Sequence, residues 1–224
     1  MTRVRRPASS RRRLAAVASL VFASAFGVSL VAFRFAWSGQ AAYGNLVWNL
    51  VLAWVPFLLA LVVYDRVRRG AHGLGIVVAG ALWLAFLPNA PYLVTDFALL
   101  REIDGMPVWF DVALLTTFAW TGLLLGFASV YLVQAAVRRL YGPAAGWLAA
   151  LGALGLSGLG IYLGRYLRLN SWDLLVQPGG VIREVLDQLS SPRLVGMSLV
   201  MAAFLTVAYA MLYTTLTAAI EARD

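Results

Sequence analysis

The 224-residue chain contains no cysteine, no lysine and a single histidine, His72. Without cysteine there is no disulfide, no thiolate nucleophile and no sulfur ligand for a metal. One imidazole excludes the usual two- or three-histidine zinc sites, and the missing lysine excludes Schiff-base chemistry. Charge is scarce too. Only 12% of residues are charged, about half the share usual in a soluble domain. What remains is 62% hydrophobic, with a mean hydropathy of +0.80. Several apolar runs reach the roughly 20 residues that a helix needs to cross a bilayer. The composition therefore reads as one all-α, polytopic membrane bundle. The net charge of +8 rests on arginine alone. In a soluble protein it would suggest nucleic acid; here most arginines sit where membrane topology is set, and no nucleic-acid partner is expected.

Residues 1–13 hold six arginines among Pro and Ser, which reads as a disordered cytoplasmic tail in contact with anionic lipid. A single membrane domain is expected over 14–217, and a short second tail over 218–224. The first span runs from Leu14 to Phe33. Ala23-Ser24-Ala25 resembles a signal-peptidase site, but the apolar run continues past it, as in an uncleaved signal anchor. Further spans are expected at about 46–63, 74–92, 112–133, 144–163 and 195–216. A short basic loop, Asp65 to His72, separates the second and third. Pro88 and Pro91 interrupt the end of the third, because proline removes a backbone donor and clashes with the preceding turn. The freed carbonyls need partners, so this end should be buried or line a cavity. Gly122-x-x-x-Gly126 and Gly160-x-x-x-Gly164 read as close helix packing. In the long connection before the last span, Val181, Ile182, Val185, Leu186 and Leu189 recur at helical spacing opposite Arg183, Glu184, Asp187 and Gln188. That pattern predicts a short amphipathic helix in the interface plane.

Six spans put both termini on one side. Twelve arginines fall on that side and six on the other, while seven of the ten acidic residues fall opposite the termini. The positive-inside rule then places both termini in the cytoplasm of a cell-membrane protein. In this orientation Pro88–Asp96, Trp109–Asp111 and Tyr162–Asp173 all reach the outer rim.

These three strings carry most of the polar character of the chain. Phe86-Leu-Pro-Asn-Ala-Pro-Tyr-Leu-Val-Thr-Asp96, Trp109-Phe-Asp111 and Gly160-Ile-Tyr-Leu-Gly-Arg-Tyr-Leu-Arg-Leu-Asn-Ser-Trp-Asp173 resemble the bacterial membrane family called domain of unknown function 1361. The likeness covers roughly residues 45–215, leaves out the Arg-rich tail, and departs at Leu169, where an aromatic is expected. It implies a multi-span membrane protein and no established activity, so any chemistry has to come from the residues.

The candidate polar site comprises Asn89, Tyr92, Asp96, Trp109, Asp111, Tyr162, Arg165, Arg168, Asn170, Ser171, Trp172 and Asp173. If 162–173 stays helical, Arg165, Arg168 and Trp172 share a face. Paired guanidiniums suit a phosphate or carboxylate, and Trp172 would stack on one of them or anchor the helix at headgroup level. Equally, both arginines could pair with Asp96, Asp111 or Asp173 as interhelical glue. The three aspartates lack the spacing of a known metal motif, so neither metal nor cofactor is expected. Ser171 has no base beside it, and Asn-Ser-Trp-Asp reads better as a helix cap. Asn89 should satisfy backbone freed by the prolines, and Asn49 should bond a neighbouring helix. His72 falls in the basic loop, solvated or on an anionic headgroup.

Three functions stay open, in this order. The first is an accessory or structural membrane component, with a homo-oligomer or another membrane protein as partner. The second is an enzyme acting on a phosphate-bearing lipid at the outer leaflet. The third is a small transporter or channel, weakened by the lack of ionisable residues in the middles of the spans.

Overall fold

The computed structural model describes residues 7–71, 73–100, 106–188 and 191–222, and these contain helices and no strand. Arg3, Arg5, Arg6, His72, Arg101, Glu102, Asp104, Leu189, Arg223 and Asp224 lie outside them. In lipid every backbone polar group must be satisfied internally, and Leu/Ala/Val-rich runs do that as helices. Helix α1 spans Pro7–Ser38, α2 Gly44–Arg68 and α3 Leu74–Phe86. A single-turn helix, α4 (Asn89–Tyr92), and a 3₁₀ segment, Leu93–Leu99, follow. Helix α5 occupies Val108–Tyr141, α6 Pro143–Tyr166, α7 Asp173–Val176, α8 Pro178–Gln188 and α9 Pro192–Glu221. Six stretches are long and apolar enough to cross a membrane: α1 from Arg13, α2, the α3-to-Leu99 segment, α5, α6 and α9. The molecule is a six-span helical membrane bundle with a short amphipathic helix, α8, before the last span.

The elements outrun the expected spans at most ends. Helix α1 starts at Pro7 rather than Leu14, and α2 continues through Asp65–Arg68, where a loop was expected. The extra turn of α2 is tied down by Arg13, whose two terminal nitrogens reach Asp65 Oδ1 and Oδ2 at 2.9 and 3.0 Å. Pro88 and Pro91 end α3, but they do not turn the chain into a loop. Leu87 and Pro88 keep right-handed helical angles, and residues 93–99 tighten into 3₁₀ geometry, which needs a shorter register than the one proline disrupts. Gly142, at φ +92, ends α5 where a side chain would be strained, and Pro143 opens α6 at once.

Helix α5 is the axis of the bundle. It packs on α1, α2, α4, the 3₁₀ segment and α6, while α9 packs on α6. The two glycine pairs do not join straight helices; they clamp α4 from opposite sides. A Cβ on Gly122 would strike the Ala90 carbonyl and Leu93, and one on Gly126 would press Ala90. From α6, a Cβ on Gly160 would strike Pro88 and one on Gly164 would press Tyr92. The proline-broken segment is therefore held as a plug between α5 and α6.

Candidate functional site: a polar cavity at one rim

The end of α1, the starts of α2 and α5, the 3₁₀ segment and the end of α6 meet at the rim opposite the termini. Two polar clusters form there, and they separate residues that the sequence groups together. In the first, Asp111 accepts from Arg34 Nε at 2.7 Å and Nη2 at 3.0 Å, and from the Tyr43 hydroxyl at 3.2 Å. The Arg34 guanidinium lies 5.0 Å from the centroid of the Tyr43 ring. Arg34 and Asp111 are both buried, with side chains 0% and 2% exposed. Asp111, near the start of α5, is thus paired with α1, and no ion pair between Asp111 and Arg165 occurs among the described residues. Trp109, next to it, is exposed.

In the second cluster, the buried Asp96 accepts from Arg165 Nη1 at 3.0 Å and from Asn49 Nδ2 at 3.2 Å. Arg165 also lies 5.9 Å from the centroid of the Tyr92 ring. This is the interhelical pairing that the sequence offers as one alternative for Arg165, and Asn49 bonds a neighbouring element as expected. Tyr162 is buried and stacks on Tyr166, away from the cavity described next.

A cavity of about 290 Å³ opens beside this pair. Its walls come from α2 (Trp48, Asn49, Leu52), α3 and α4 (Ala85, Pro88, Asn89, Tyr92), α6 (Gly160, Leu163, Gly164), the 168–171 turn and Val181 of α8. The absent side chains of Gly160 and Gly164 help to leave this space. Of the candidate residues, Asn89, Tyr92, Arg168, Asn170 and Ser171 line it, and Asp96 and Arg165 back it.

The turn at its mouth differs from expectation. Helix α6 stops at Tyr166, so Arg165, Arg168 and Trp172 do not share a helical face. Instead Arg168 takes a left-handed conformation, φ +55, and the Leu169 N–H donates back to the Leu163 carbonyl. Glycine usually fills such a helix-terminating position. Arg168 is exposed, lines the cavity and has no ion-pair partner among the described residues. Nor is Ser171 a helix cap. Its Oγ accepts from Asn89 Nδ2 at 2.7 Å, and the same amide donates to the Phe86 carbonyl at 2.9 Å, next to the proline break. The cap-like role falls to Asp173, whose Oδ2 accepts from the Asn170 backbone N–H at 2.6 Å. Trp172 is exposed. No group of three or more His, Asp or Glu that could hold a metal occurs among the described residues.

Sequence reasoning missed Arg34 and Tyr43 as the partners of Asp111, and Trp48, Leu52, Ala85 and Val181 as cavity walls. Arg34 carries the one usable signal, a lone arginine near the end of an apolar span. The others look like ordinary membrane-facing residues. Comparison with curated proteins and with solved structures found no significant match. A family model matches residues 48–208, well over half of the chain, and takes in all three of the polar strings. The chain belongs to the family described as protein of unknown function (DUF1361).

Proposed function

We propose that the protein is an accessory component of the cell membrane that holds an anionic group, phosphate or carboxylate, in the rim cavity. Arg168 is the binding charge. Asn89, Asn170 and Ser171 supply the neutral hydrogen-bonding groups, and Asp96–Arg165 keeps the wall in place from behind. Both termini face the cytoplasm, as the arginine asymmetry of the sequence favours, so the cavity opens on the outer leaflet. The observation that carries this reading is the division of labour between the arginines. Arg34 and Arg165 are neutralised by buried aspartates, whereas Arg168 lines the cavity with its charge uncompensated among the described residues. A guanidinium left free offers a planar fork of donors that suits a carboxylate or phosphate.

Binding is favoured over turnover by the surroundings of Ser171. Its hydroxyl is bonded to an amide, and no base is hydrogen-bonded to it among the described residues. The test is a ³¹P NMR titration of ethyl phosphate into the purified full chain in zwitterionic nanodiscs. Saturable binding is expected, weakened at least tenfold in Arg168→Gln, with unchanged abundance and thermal stability. Binding that is absent, or equal in Arg168→Gln, would overturn the reading.

A further inference from the structure

The cavity has a graded lining. Its one cation and its outer polar groups sit in the turn past the end of α6, at Arg168, Asn170 and Ser171. The amides of Asn49 and Asn89 in its walls are already engaged, by Asp96 and by Ser171 and the Phe86 carbonyl respectively. Trp48 lies one turn inside the start of α2 and Leu52 two turns; Leu163 and Gly160 lie at matching depths inside the end of α6. The pocket therefore runs about two turns, or roughly 10 Å, inward from the rim. Below Leu163, its inner end is walled by Leu52, Ala85 and the Cβ-free backbone of Gly160. A free anion gains nothing from an apolar floor, whereas an amphiphile does.

The cavity is also open on its side. Helix α4 packs on both α2 and α6, but α2 and α6 share no extended interface. A cleft backed by the α4 plug remains between them. Trp48 lines the cavity and is nevertheless 56% exposed, in a helix that spans the membrane. Its surface therefore belongs to the cavity and to the lipid-facing exterior at once. Val181 of α8 is buried against the cavity, while Ile182 and Leu186 of the same helix are exposed apolar residues. An amphipathic helix of this kind lies along the headgroup boundary, so the mouth of the cavity sits at headgroup depth.

The geometry points to a membrane amphiphile as the ligand: an anionic headgroup at Arg168 whose hydrocarbon chain leaves sideways through the α2–α6 cleft past Leu52 and Trp48. This inference rests on the anion-binding reading of the same cavity and adds the source of the anion, the bilayer rather than solution. The volume admits a headgroup and its first few carbons, not a whole lipid, and the rest of the chain stays in the leaflet.

The test compares n-alkyl phosphates from ethyl to octyl in ³¹P NMR titrations of the full chain in phosphatidylcholine nanodiscs. Burying one methylene changes affinity about fourfold, so affinity should climb by that factor per carbon over the first few carbons and then level off. Leu52→Trp and, independently, Ala85→Leu fill the cleft. Either should abolish the chain-length gain while leaving ethyl phosphate binding within about twofold. The alkyl arm is disproved if affinity is flat across the series, which marks a free anion as the ligand and leaves the anion site intact. It is equally disproved if the gain persists in both filled-cleft variants, because the chain is then dissolving in the bilayer. If no member of the series binds, the anion site itself is wrong. Should one filled-cleft variant fail to fold, the other decides.

Discussion

Arginine plays three different parts in this protein, and its surroundings decide which. Arg13 and Asp65 meet in a bidentate pair, but their side chains are 41% and 33% exposed, and such pairs contribute about 1 kcal/mol or less. Arg34 and Asp111 are sealed from solvent. Removing one partner of a buried pair strands the other charge and costs about 3–5 kcal/mol. Asp65→Ala should therefore leave abundance in the membrane nearly unchanged, and Asp111→Ala should sharply lower it, as quantitative blots of tagged protein would show. Arg34→Met combined with Asp111→Leu should recover most of that loss, because it removes both charges together. A double variant no better than Asp111→Ala would instead assign these residues a role beyond packing. At Arg168 the prediction separates stability from binding. Glycine adopts φ +55 without the roughly 1 kcal/mol penalty of a side chain in the left-handed region. Arg168→Gly should therefore match or exceed the parent in thermal stability while losing phosphate binding. A lower melting temperature would place the arginine in the packing.

Among the elements, the α4 plug explains where the glycines fall. Two GxxxG pairs are visible in the sequence, and close packing is the natural inference from each. That both converge on Pro88–Leu93 is not visible, because small-residue spacing marks a smooth helix face and says nothing of what lies against it. A methyl on Gly122 would meet the Ala90 carbonyl, and one on Gly158 would meet the backbone of Ser198 and Ala202 in α9. Gly152 and Gly155 have open space around their Cβ positions. Gly122→Ala and Gly158→Ala should each destabilise by about 1–3 kcal/mol through overpacking. Gly152→Ala and Gly155→Ala should be neutral or stabilising by up to about 1 kcal/mol, since alanine is the better helix former. Thermal melts of all four in one detergent test the contrast, and a Gly122→Ala variant as stable as Gly152→Ala would mean that the plug yields. The same contacts account for the 3₁₀ segment. With its proline-broken start clamped, the chain beyond it tightens and carries Asp96 onto Asn49 and Arg165.

For the whole molecule, the ion pairs report which helix ends share a rim. Arg13 joins the first half of α1 to the end of α2, and Arg34 joins the far part of α1 to the start of α5. Together with six spans these pairs set two opposed faces, one bearing the helix ends near the termini and the other the cavity. The lack of cysteine makes orientation directly measurable. Single cysteines at Gln40 and Gln177 should react with a membrane-impermeant maleimide in intact cells. Cysteines at Arg69 and Tyr141 should react only after permeabilisation. The reverse pattern would invert the proposed topology and move the cavity to the cytoplasmic leaflet.

The number of spans, the helical class and the amphipathic α8 follow from the sequence because hydropathy and periodicity are local properties, and in lipid a long apolar run has only one well-satisfied backbone conformation. The polar strings were likewise legible as polar. Their partners were not. Arg165 could have met any of three aspartates, and it meets Asp96 because the glycine faces of α5 and α6 hold the proline plug against them. Asp111 goes to Arg34 because α1 packs on α5. A left-handed turn at Arg168, which residue type alone does not announce, ends α6 at Tyr166 and withdraws Arg168 from the helical face shared with Arg165. The packing of α2, α4 and α8 around that turn makes it the mouth of a cavity. Charges find partners through space, and spatial adjacency among helices is set by which surfaces fit together, a property of pairs of segments that neither segment encodes alone.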